Sequence, residues 1–278
     1  MLSGKTSNDD SSTSSECPFC GEPMHQITTV TIHGVEMPFG PYVCECEGFQ
    51  GERKAQREAQ QHESDERDAY DRQQRIDRLF RDSTLPERWR SRTFDAYKLS
   101  PSNRSAYEMA KQYAINFDPK AGRGLLLTGD VGLGKTHLAA AVTMDLLGKG
   151  HSVIFGTVSS LLAQIRNTYD DDRESEMQVK GRLSNCDLLV IDEIGKEKVN
   201  AWVAQTVYDI VNARYERNKA LIVTTNLSLT EIRARYDRRI EDVKIGVGSA
   251  IVDRMIEMCD GVKLVGKSYR LNALQRSE

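Results

Sequence analysis

The segment Gly129-Asp130-Val131-Gly132-Leu133-Gly134-Lys135-Thr136 spells G-x-x-x-x-G-K-[ST], and no other stretch restricts the fold of this chain as tightly. The pattern needs a strand before it and a helix after it, because glycine-freed backbone N–H groups must converge on phosphate oxygens at a helix N-terminus. Both flanks comply: residues 124–128 read as a buried strand, and residues 137–147 carry apolar side chains at helical spacing and end at Gly148. The residue types then set the chemistry. Lys135 reaches the β/γ oxygens of a nucleoside triphosphate and the Thr136 hydroxyl ligates Mg²⁺. The nucleotide-binding segment is therefore residues 129–136, with His137 next in line.

A chain of 278 residues has room for one α/β domain and a smaller appendage. Its net charge of -3 provides no global positive field, so any nucleic-acid contact must come from a local patch or from assembly. There is no apolar run long enough to span a bilayer, and residues 1–16 are Ser/Thr/Asp-rich without an apolar signal region, which points to a cytoplasmic protein with no membrane partner. Those first residues are expected to be disordered. Residues 17–50 hold four of the six cysteines and read as a small metal-stabilised module. Residues 51–92 carry 11 Lys/Arg and 10 Asp/Glu, interleaved, as in a solvated helix with i,i+4 ion pairs. The segment 51–84 is thus a helical linker or, through Ile76, Leu79 and Phe80, a docking helix for a partner. Pro86 marks the boundary of the next unit, 85–278. There, apolar strands at 125–127, 153–155, 188–191, 221–225 and 262–265 alternate with helical patterns at 159–169, 202–217 and 249–258, which predicts a parallel sheet covered on both faces.

Three further patterns carry chemistry. Asp187-Leu188-Leu189-Val190-Ile191-Asp192-Glu193 is an apolar strand ending in two carboxylates, the Walker B form. Asp192 would hold Mg²⁺ through its water shell, and Glu193 would orient or deprotonate the attacking water. Asn226 ends the strand before it at the carboxyl edge of the sheet, where an amide can sense a γ-phosphate or hold the water; it also reads as a turn residue. Cys17-x2-Cys20 and Cys44-x-Cys46, 23 residues apart, supply four thiolates suited to tetrahedral zinc, with His25 or His33 as substitutes for one of them. The implied role of that site is structural.

Taken together, GDVGLGKT (129–136), DLLVIDEIG (187–195), TTN (224–226), VDRM (252–255) and SYR (268–270) resemble the DnaC/DnaI helicase loaders, AAA+ ATPases whose wider family includes the IstB transposition helpers. The resemblance covers about residues 85–270. It implies an α/β AAA+ P-loop NTPase with a five-stranded parallel sheet and, since only eight residues follow Arg270, no C-terminal helical lid. It also implies Asn226 as sensor 1, Arg254 as a finger in a neighbouring subunit's site and Arg270 as sensor 2. ATP as the nucleotide follows from the family and from the absence of a guanine-reading N-K-x-D sequence. The helix at 159–169 occupies the place where such proteins line a single-stranded DNA path, with Arg166 for phosphate and Tyr169 for stacking. The acidic run Asp170-Asp171-Asp172 beside them equally fits a solvated helix end. DnaI-like loaders carry a zinc module that contacts the helicase. The expected function is an ATP-dependent loader of a DnaB-type hexameric helicase onto single-stranded DNA, self-associating with ATP and hexameric on the helicase. The alternatives are an IstB-like transposition helper and a non-hydrolysing zinc-containing adaptor.

Overall fold

A computed structural model describes residues 16–32, 35–168, 175–237, 239–240, 243–244, 246–266 and 268–269. The chain divides into two compact units, Met1–Asp71 and Arg72–Glu278. In the first, β1 (His25–Ile32) and β2 (Val35–Val43) form an antiparallel hairpin whose register shifts between Gln26 and Thr28. A tight turn precedes the hairpin: Gly21 N–H donates to Cys17 O and Cys17 N–H to Glu22 O, both at 2.8 Å. Helix α1 (Glu47–Asp82) begins directly after Cys46, four residues earlier than the charge pattern suggests, because Gln50 N–H closes the first turn on Cys46 O. None of its residues is buried. Its surface is laced by pairs such as Lys54–Glu58 at 3.9 Å, Glu63–Arg67 at 3.5 Å and Gln61–Asp65 at 2.8 Å, each worth only a few tenths of a kcal/mol.

The second unit is built on a five-stranded sheet of order β4-β5-β6-β3-β9, parallel throughout. Its elements in chain order are the end of α1, α2 (Glu87–Arg90), α3 (Arg104–Ile115), β3 (Gly124–Thr128), α4 (Lys135–Gly148), β4 (Val153–Thr157), α5 (Val158–Asn167), α6 (Glu176–Asn185), β5 (Leu188–Asp192), α7 (Ala201–Glu216), β6 (Ala220–Thr225), α8 (Leu229–Asp237), the short hairpin β7 (Arg239–Ile240) and β8 (Val243–Lys244), α9 (Gly248–Met258) and β9 (Cys259–Lys263). Strand alternation loads both faces. Leu125, Leu127, Leu188, Val190 and Ile222 pack with α3, α4, Leu79, Phe80 and Leu85, whereas Leu126, Leu189, Ile191, Leu221 and Val223 pack with α5 to α9. The five strands expected from the sequence are present. The last begins at Cys259, not 262, because α9 runs straight into it and pairing with β3 starts at Gly124–Cys259. The edge strand β4 is covered by the chain entering from α1: Phe155 N–H donates to Ser83 O (2.8 Å) and the Thr84 hydroxyl to Phe155 O (2.7 Å). Among the described residues no helix is long and apolar enough to cross a membrane.

One buried cation ties the α5–α9 face together. Arg214 on α7 is fully buried, and its guanidinium donates to the carbonyls of Leu183 (2.6 Å), Cys186 (3.0 Å) and Ala220 (2.5 Å), which close α6, the turn into β5 and the start of β6. Arg214→Met keeps the bulk and orphans these acceptors. It is expected to lower stability by about 3–5 kcal/mol in urea unfolding; a loss below about 1 kcal/mol would contradict this role.

Candidate nucleotide-binding site

The loop between β3 and α4 turns on glycines with positive φ, two of them without alternative. Gly132 has φ 83° and a Cβ there would lie 2.1 Å from Ser268 Oγ; Gly134, the residue capping α4, has φ 95°. Lys135 is 7% exposed, and its ammonium donates to Gly129 O (2.6 Å) and Asp130 O (2.7 Å), curling over the loop where phosphates would sit. Burial pulls its pKa below the usual lysine value, opposed by the charges of Asp130, Glu193 and Asp192. With the first-turn N–H groups of α4, the loop is a cationic, donor-rich cradle.

Across it, β5 brings up the two carboxylates. Asp192 Oδ1 accepts the Thr136 hydroxyl at 2.9 Å and the Thr224 hydroxyl at 2.6 Å, and burial raises its pKa against those two bonds. A divalent cation here would find a hydroxyl and a carboxylate already paired, the donor set of a magnesium site. Glu193 follows with φ 56°, a backbone held by donation of its N–H to Thr224 Oγ1 (2.8 Å), and a carboxylate paired with Lys196 (2.7 Å). Thr224 therefore orients both acids. The pairing of Ile191 with Val223 puts it one step along beside Asp192, so the strand register was the signal for a residue that motif reading passed over.

Glu193 and Asn226 form the inner wall of a cleft of about 380 Å³ that also takes in Lys135 and Thr136. Its outer wall was not anticipated: Trp89, Arg92, Ala96, Tyr97 and Lys98, from α2 and the irregular segment after it. Tyr97 stacks on Tyr107 (5.6 Å) and meets the His137 ring edge-on (5.0 Å); His137 in turn bonds Thr93 O at 2.9 Å. Burial lowers the His137 pKa and pushes the Tyr97 phenol up to about 12, so both rings are neutral near pH 7. His137 thus braces the aromatic wall as well as lining the cleft. Tyr269 closes the far end. Its N–H donates to Gly132 O (3.0 Å) and its hydroxyl to Lys98 O (2.8 Å), tying residues 268–269 to the phosphate loop. An aromatic wall beside a phosphate cradle can take a base and ribose at one end and a triphosphate at the other.

The remaining candidates lie elsewhere. Arg254 on α9 is outside this cleft; its Nε donates to Asn212 Oδ1 (2.6 Å) and its guanidinium sits 5.3 Å from each of the Tyr208 and Tyr215 rings. Arg166 lies 4.6 Å over the Trp202 ring at the start of α7. Helix α5 ends at Asn167; Tyr169, the acidic run at 170–172, Arg270 and the residues after it lie outside the described residues, as do residues 1–15 and His33.

In the first unit the sulfurs of Cys17, Cys20, Cys44 and Cys46 all lie within 4.8 Å of one another, with Cys17–Cys46 at 3.6 Å and Cys20–Cys44 at 3.4 Å. Four thiolates around one ion at about 2.3 Å would be roughly 3.8 Å apart, so the set could hold a metal. Burial raises the Cys17 pKa, but N–H bonds from Phe19 and Cys20 and the bonds to the Cys46 and Cys44 sulfurs outweigh it and bring the thiol down to about 7, whereas the Cys20, Cys44 and Cys46 thiols lie above their ordinary value even though N–H groups of Cys46 and Phe49 reach the Cys44 and Cys46 sulfurs at 3.5 Å. His25 is exposed and outside the group.

Comparisons with known proteins agree with this geometry. The family model for IstB-like ATP binding proteins matches residues 54–277. The replicative helicase loader DnaC of Escherichia coli (strain K12) is 30% identical over 169 residues, 60% of this chain and 69% of the relative. An ATP-binding protein of insertion sequence IS5376 from Geobacillus stearothermophilus is 29% identical over 204 residues, 73% and 76% of the two chains. The crystal structure of the DnaC helicase loader superposes with a TM-score of 0.53 at 27% identity, over 65% of this chain and 100% of that one. The crystal structure of DnaI gives 0.54 at 19% identity, over 66% and 94%, a likeness of fold alone. With the family model matching most of its length, and with the loop, Glu193 and Asn226 lining one cleft and Asp192 bonded to its Thr136, the chain belongs to the DnaC/IstB family of AAA+ ATP-binding proteins.

Proposed function

We propose that this protein is an ATP-switched loader that holds a DnaB-type hexameric replicative helicase and delivers it to single-stranded DNA in the cytoplasm. The observation that carries the reading is the hydroxyl-bonded Asp192 beside Glu193 in a cleft with Lys135 and Asn226, while Arg254 sits off that cleft. This arrangement supports a hydrolytic site completed by the Arg254 of a second copy. Similarity to a DnaC loader supports the choice of cargo. In this reading Lys135 and the loop N–H groups hold the phosphates, Glu193 leaves Lys196 and takes the proton of a water positioned with Asn226, and the water oxygen attacks the γ-phosphorus as its bond to ADP breaks. Thr136 and Asp192 would hold Mg²⁺, which would supply positive charge against the charge that develops on the phosphates. Arg270, the next residue in sequence after Tyr269, is assigned as sensor 2 on the family resemblance. Residues 17–50, with zinc on Cys17, Cys20, Cys44 and Cys46, and the helical segment 51–84 form the helicase-binding arm ahead of the 85–278 ATPase. Arg166, once it leaves Trp202, is the phosphate contact for single-stranded DNA, with Tyr169 as the candidate for base stacking.

A second reading, an IstB-like helper of a transposase, is favoured by the insertion-sequence relative, which aligns over more of the chain than the DnaC relative does. The ATPase is separable from a non-hydrolysing adaptor by Glu193→Gln. The variant is expected to bind ATP as the parent does and to lose about 10²–10⁴-fold in turnover. Phosphate release at the parent's rate would sink the hydrolytic assignment.

A further inference from the structure

A second cavity of about 340 Å³, walled by Gly195, Lys196, Leu227 and Arg235, shares Glu193 and Asn226 with the nucleotide cleft and has no phosphate-loop residue in its lining. Its cationic donors are only partly used. Lys196 is paired with Glu193 at 2.7 Å. Arg235 has donors to spare: its Nη2 donates to the backbone carbonyl of Glu197 (3.2 Å), and its buried Nε has no acceptor among the described residues. The nearby Glu197 carboxylate is already used, accepting the Tyr236 hydroxyl (2.6 Å) and Gly195 N–H (2.9 Å). The Asn226 amide adds a donor. A buried guanidinium donor left unpaired costs stability unless an acceptor arrives, and forked guanidinium donors with an ammonium and an amide suit a tetrahedral oxyanion.

We propose that this cavity is a binding site for inorganic phosphate, held by Arg235 and Lys196, which receives the phosphate cleaved at the adjoining cleft and passes it out. The inference rests on the hydrolytic reading above. It also couples product release to the catalytic acid: while phosphate engages Lys196, Glu193 is free of its ion pair, and departure of the phosphate restores the pairing.

The test is equilibrium dialysis of radiolabelled orthophosphate against the full-length protein with saturating Mg-ADP, with ADP binding measured in parallel. The phosphate loop is then filled by ADP. The expected result is saturable phosphate binding that weakens about tenfold or more in Arg235→Gln, as loss of a charge-assisted hydrogen bond implies, and partly recovers in Arg235→Lys, with ADP affinity unchanged. Lys196→Gln should weaken it similarly. Phosphate binding equal in Arg235→Gln and parent, or none at all where ADP binds normally, would overturn the site while leaving the ATPase intact. Failure of ADP itself to bind would bring down the nucleotide reading and this site with it.

Discussion

Arg254→Ala is expected to reduce ATP turnover of the assembled protein by about 10³–10⁵-fold while leaving nucleotide affinity of the single chain unchanged. The reason is positional. Arg254 is clasped by Asn212 and by two tyrosine rings of α7 and takes no part in lining its own cleft. Any action on nucleotide must therefore be on that of another copy. Leaving the tyrosines costs about 0.5–1 kcal/mol for each exposed cation–π contact, so the finger would engage only when assembly offers a γ-phosphate in exchange. Two consequences can be measured. Arg254→Lys should not restore turnover, because an ammonium lacks the planar fork. Mixing Arg254→Ala with Lys135→Ala, each inactive alone, should regain activity, since an intact cleft can then meet an intact arginine. Absence of complementation in stable mixed assemblies would show that the arginine does not act between copies.

The second large effect is expected in the first unit. A hairpin and a turn of this size cannot bury enough apolar surface to fold alone, whereas structural zinc in small modules contributes about 10–16 kcal/mol of apparent binding free energy near pH 7. The purified protein should contain one zinc per chain. Stripping it with a chelator, or replacing Cys17 by serine, should abolish hydrogen-exchange protection along β1 and β2 while residues 124–136 keep theirs and ATP still binds. Undiminished protection of the hairpin without metal would refute the structural role given to the four thiolates.

The parts of the site that were legible in the sequence are those in which chemistry dictates local spacing. Residues 129–136 and 187–193 name their own strand and helix neighbours, and Thr136 and Asp192 do meet at 2.9 Å. Cys17, Cys20, Cys44 and Cys46 converge for the same reason. What escaped reading depends on packing between distant segments. Trp89, Tyr97 and Lys98 come from a one-turn helix and the irregular stretch after it, with no period to follow, and Tyr97 takes its place in the cleft wall by packing on Tyr107 and His137. Thr224 acquires its role through strand register. The same holds for the tyrosine clasp of Arg254, which needs α7 and α9 side by side. Helix α6 was passed over because its apolar positions are sparse, although Ser175 and Gln178 form the capping box that announces it.

On the proposed function, nucleotide state governs the hold of this protein on a replicative helicase. Size-exclusion co-elution of the full-length protein with the DnaB-type helicase of its own replication system, in ATP, in ADP and with Glu193→Gln in ATP, measures that hold. A stable complex is expected with ATP, its loss once hydrolysis has produced ADP, and a persistent complex for Glu193→Gln. Failure of the helicase to co-elute in any nucleotide state, with the protein folded and binding ATP, would contradict that function.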